Sequence, residues 1–137
     1  MSVVFSRFWS GASAPQLQTV IDGIQAICAK YEGALYQALI DERGATAIVV
    51  FGLPERSHED DAARALYAAM AIEQLISRLH LAPAVGVATG RVFCVSDVVP
   101  PLRQFAIVGP AINLAARLTE VGRPLLCDAQ TLQAARW

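Results

Sequence analysis

Apolar side chains recur at helical spacing in two long stretches and crowd into short runs between them. This alternation restricts the chain to mixed helix-and-sheet architectures. In the first stretch, Ser13-Ala14-Pro15-Gln16 has the form of a helix start: Ser13 can cap, Pro15 suits the first turn, and Gln16 stands three residues on. Leu17, Val20, Ile21, Ile24, Ile27, Cys28 and Tyr31 then share a face, and Gly33 is expected to end the helix in a left-handed conformation. In the second, Ser57-His58-Glu59-Asp60 reads as a capping box, and Ala65, Ala68, Ala69, Ile72, Leu75, Ile76 and Leu79 line one face. Runs at 2–8, 34–40, 46–51, 84–88, 91–95, 105–108 and 125–127 read as strands. Asp41-Glu42-Arg43-Gly44 predicts a hairpin turn. Gly109-Pro110 opens a third helix that Gly122-Arg123-Pro124 stops, and Asp128 can cap a closing helix. The order β-α-β-β-α-β, with extra strands and a C-terminal helix, predicts an α+β fold with a ferredoxin-like core and helices on one face of its sheet.

The chain has 137 residues, of which 55% are hydrophobic and 17% charged, so it can fill the core of a single domain over 1–137 and is not intrinsically disordered. Its net charge of −1 lacks the basic excess that phosphate-backbone binding needs, which argues against nucleic acid as a partner. The longest apolar stretch, Ala45 to Pro54, falls short of the roughly 20 residues that span a bilayer, and the N-terminus has no secretory signal. No membrane association and a cytoplasmic location are therefore expected. Cys28, Cys94 and Cys127 form no CxxC pair, which excludes a disulfide framework and a cysteine zinc site and leaves them as buried, reduced thiols. His58 and His80 have no acidic or cysteine partner at ligand spacing and read as solvated helix-end residues.

Asn113 and Arg117 lie four apart in the third helix and share one of its faces, away from Leu114 and Leu118. On these residues alone, a solvated Asn and a surface ion-pairing Arg would serve as well as a binding site.

Three segments, in this order, resemble class III nucleotidyl cyclases. They are Val50-Phe51-Gly52-Leu53-Pro54 with Ser57-His58-Glu59-Asp60-Asp61 and Ala65-Leu66; the strand pair Val85 to Cys94; and Phe105-Ala106-Ile107-Val108-Gly109-Pro110-Ala111-Ile112-Asn113-Leu114-Ala115-Ala116-Arg117-Leu118. The pattern is most similar to the second, degenerate cyclase half of soluble, bicarbonate-responsive adenylyl cyclases and of bacterial proteins built like them. The resemblance implies the class III cyclase fold and the making of a cyclic nucleotide from ATP or GTP at a dimer interface. There two aspartates hold two metal ions, an asparagine orients the ribose, an arginine stabilises charge as pyrophosphate leaves, and further side chains read the purine.

Carried over position by position, the asparagine matches Asn113 and the arginine matches Arg117, whose planar fork suits phosphate oxygens. The two metal aspartates fall on Arg7 and Ala45, neither of which can hold Mg²⁺. Asp41 and Glu42 stand nearby, but using them would break the hairpin match. A purine-reading position falls on Ala106, beside Phe105, and cannot hydrogen-bond a base. The family's Gly-rich turn reads here as Val95 to Arg103 without its glycines, and its arginine is Leu102 or Arg103. The expectation is a metal-free half, a segment of a longer protein. It would supply Asn113 and Arg117 to a second cyclase domain that carries the aspartates and brings Mg²⁺ or Mn²⁺. A homodimer of this chain alone would be silent. The alternative is a non-catalytic regulatory pseudo-cyclase or dimerisation domain using the same surface.

Overall fold

The first β-rich run forms the centre of the sheet. In the computed structural model, which describes residues 1–9, 11–41, 44–54, 56–96 and 105–136, β1 (Ser2–Trp9) pairs antiparallel with both β3 (Gly44–Phe51) and β4 (Pro83–Thr89). β2 (Ala34–Asp41) extends the sheet beyond β3, and β7 (Leu125–Cys127) adds in parallel to β4, giving the order β2-β3-β1-β4-β7. β5 (Phe93–Ser96) and β6 (Phe105–Val108) form a separate antiparallel ribbon. Four helices complete the fold: α1 (Ala14–Tyr31), α2 (Asp61–Arg78), α3 (Pro110–Leu118) and α4 (Ala129–Ala135). The α+β class and nearly all the predicted elements are present. Among the described residues no helix is long and apolar enough to cross a membrane.

A central strand is covered on both sides, so β1 is apolar on both faces. Val4 and Phe8 join Val49, Phe51, Val85 and Val87 beneath α1 and α2. Val3 and Phe5 join Ile48, Val50 and Ala88 beneath Ala111 and Ala115 of α3. The helices are thus not all on one face as expected: α3 lies opposite α1 and α2. Periodicity finds a helix's apolar stripe but not the side of the sheet it will cover.

Local chemistry sets the boundaries. Ser13 and Gln16 form the predicted capping box, and the Gln16 side-chain amide also donates to the Leu79 carbonyl at the far end of α2. The left-handed residue after α1 is Glu32 (φ 61°), not Gly33. Gly33 is instead a matter of space, because a Cβ there would lie 2.7 Å from the Phe51 ring. The capping box read at Ser57 does not form: α2 starts at Asp61, and the His58 N–H donates to the Asp61 carboxylate at 2.9 Å. That carboxylate ties down the loop before the helix instead of capping its first turn. In the β2–β3 turn, Asp41 Oδ1 accepts from the Gly44 N–H at 3.1 Å, while Glu42 lies outside the described residues.

Cys28 is buried, which pushes its thiol up to about 11, whereas Cys127 is only half-buried; both are free. The Cys94 side chain lies outside the described residues. Hydroxyls link the first and last elements: Ser2 to Thr89 and Thr89 to Thr131, each at 2.8 Å, and Thr131 on to the Asp128 carboxylate that caps α4.

Candidate functional site

Pro110 opens α3 with a preset φ and no N–H to satisfy, and Gly109 precedes it in an extended conformation. Ala111 and Ala115 face the sheet and are buried. Asn113 and Arg117 are exposed, with Leu114 37% exposed beside them. The helix runs antiparallel to β4: Ala111 lies over Gly90, and Ala115 and Leu118 lie over Gly86. Its C-terminal turn therefore points toward the Arg7 end of β1, where Phe5 pairs with Gly86 and Arg7 with Ala84. Arg117 sits in that last turn, where the helix dipole favours a cation. The Thr119 hydroxyl donates to the Ala116 carbonyl at 2.6 Å and closes the helix.

Arg7 shares the α3 face of the sheet, with its guanidinium carbon 5.5 Å from the centroid of the Phe5 ring. Its cross-strand partner on β3 is Thr46. Ala45 pairs with Phe8, faces the other side, and is 4% exposed in the core beneath α1 and α2. The structure thus brings Arg7 toward the α3 side and leaves Ala45 out. A divalent cation does not fit these positions: one is a guanidinium, the other a buried methyl, and no metal-binding cluster occurs among the described residues. The β6 backbone carries Phe105 and Ala106 as predicted, but both side chains, and Leu102 and Arg103 entirely, lie outside the described residues.

A second polar cluster escaped the sequence reading. His58 is not a solvated helix end. Its Nε2 contacts the Glu32 carboxylate, its Nδ1 lies 2.9 Å from the Arg56 carbonyl, and Asp61 Oδ1 stands 3.7 Å away, buried and without a hydrogen-bond partner among the described residues. Arg64 Nε donates to Asp60 at 2.8 Å, and this holds the Asp60 carboxyl below its usual range. Arg64 also reaches Glu32 at 3.8 Å. The cluster clamps the end of α1 to the start of α2 and borders a cavity of about 410 Å³. Spacing could not reveal it, because Glu32 is far from His58 in sequence.

No family model matches the chain. Human adenylate cyclase type 10 is 29% identical over 106 residues, covering 76% of this chain and 7% of that protein. The chain thus spans less than a tenth of this relative's length. Among solved structures, the adenylyl cyclase CyaB of P. aeruginosa superposes with a TM-score of 0.79 at 21% identity, covering 97% of this chain and 78% of that one. The non-canonical dimeric guanylyl cyclase domain of the RhoGC fusion protein of the fungus Blastocladiella emersonii gives a TM-score of 0.77 at 18% identity, covering 96% and 80%.

Proposed function

We propose that this chain, a nucleotidyl cyclase domain with the class III catalytic-domain fold and homology to adenylate cyclase type 10, is the metal-free half of a dimeric cyclase site. One observation carries the reading. Asn113 and Arg117 stand exposed on a helix seated firmly on the sheet, while the positions that the resemblance assigns to the metal aspartates hold Arg7 and a buried Ala45. Asn113 would orient a ribose, and the Arg117 fork would take up charge developing on the triphosphate oxygens. A second cyclase domain would bring the aspartates and the Mg²⁺ or Mn²⁺ they hold. Association between cyclase domains has a precedent in the fungal neighbour, whose dimer is a non-canonical one. With a nucleoside triphosphate as the proposed substrate, the domain would work in the cytoplasm.

The test is cyclic-nucleotide formation by the full-length protein that contains this chain. Arg117→Ala is expected to lower turnover by about 10²–10³, the usual cost of losing a transition-state donor. Unchanged turnover sinks the proposal. It would favour the second reading, a regulatory pseudo-cyclase, which Ala106 at the purine position supports. Calorimetric titration with ATP, GTP and bicarbonate then shows whether the domain senses a small molecule.

A further inference from the structure

We infer that Gly86 on β4 is a positioning residue for Asn113 and Arg117: by carrying no side chain it sets how deeply α3 sits on the sheet. The inference rests on the function proposed above. A Cβ at residue 86 would lie 2.3 Å from the Ala115 carbonyl oxygen and 2.9 Å from the Leu118 Cβ. The nearer contact is helix backbone, which no rotamer change can move aside. Gly86 has no left-handed φ to explain its presence, so space is what the position requires. The helix contributes only the methyls of Ala111 and Ala115 at its most buried points, so backbone meets backbone across the seam. The same holds where α3 begins: a Cβ on Gly109 would lie 2.5 Å from the Arg91 carbonyl oxygen. Asn113 and Arg117 flank this seam on a helix of 9 residues, so a displacement at Gly86 reaches both.

Relieving a Gly86 methyl needs a shift of about 1 Å, and a misplacement of that size can cost about 10²-fold in rate. Gly90 supplies the control. It follows the same strand, yet a Cβ there meets only the Ala111 Cβ at 3.7 Å, an ordinary contact.

The experiment compares Gly86→Ala, Gly90→Ala and Arg117→Ala in the full-length protein, with kcat and KM for the nucleotide measured separately and folding checked by circular dichroism. Gly86→Ala is expected to lower kcat about 100-fold and leave KM within about threefold, while Gly90→Ala matches the parent. Ala115→Ser, which adds one atom from the helix side of the seam, is expected to lower kcat in the same direction and stands in if Gly86→Ala does not fold. A folded Gly86→Ala or Ala115→Ser variant with parental kcat overturns the inference when Arg117→Ala is impaired. If Arg117→Ala is also unimpaired, the proposed function has failed instead.

Discussion

Ala45 and Arg7, the positions that the resemblance assigns to the metal aspartates, have different surroundings. Arg7 puts a positive side chain on the face that α3 covers. Ala45 belongs to the opposite core, against Phe8. Placing an aspartate at residue 45 would therefore bury a carboxylate among apolar side chains instead of offering it to a cation. Ala45→Asp is expected to cost about 2–4 kcal/mol of stability, read as a lower midpoint in urea denaturation, without creating a Mg²⁺ site detectable by calorimetry. The sequence put Asn113 and Arg117 on one helix face and, by its resemblance to class III cyclases, put no aspartate at the two positions expected to hold metal. It did not show that residues 7 and 45 point to opposite sides of the sheet, since that follows from register, and strand pairing is not written in either strand alone.

Among the elements, α1 shows the difference between local and distant causes. Its start was legible because Ser13 and Gln16 satisfy each other's neighbouring backbone within one turn. Its end was misread: Gly33 looks like a helix stop, yet Glu32 takes the left-handed turn and Gly33 makes room for Phe51, which is wholly buried. Gly33→Ala is expected to destabilise the domain by about 1–3 kcal/mol through overpacking against that ring, measured by thermal unfolding. The start of α2 was misread for a related reason. Asp61 gathers the His58 amide, and Arg64 gathers Asp60 and Glu32, so the loop is fixed by partners on two elements rather than by its own capping residues.

For the whole molecule, the exposed apolar side chains matter most. Phe93 (65% exposed) and Val108 (62% exposed) are cross-strand partners on the β5–β6 ribbon, and Leu114 adds to the exposed apolar surface from α3. Pairing with another cyclase domain would cover such surface. Light scattering of the purified domain is expected to show concentration-dependent dimers, weakened by Phe93→Asp by at least about tenfold in dissociation constant. A strictly monomeric domain at all concentrations, alone and with other cyclase domains, would contradict this. The fold class was legible because the order of strands and helices survives any uncertainty about single residues, whereas the close approach of α3 to Gly86 appears only in three dimensions.

The middle position of β1 also bears on synthesis. By the time residue 51 has left the ribosome, β2, β3 and β1 can already pair, with α1 laid across them. The other border of β1, the backbone of residues 2–8, must wait until residues 83–89 emerge and β4 docks. Through that interval the nascent chain displays a sticky, unpaired margin, the kind of margin that recruits stray strands. Translation speed between those two segments, or a chaperone holding that margin, would then govern how much of the product reaches its native form.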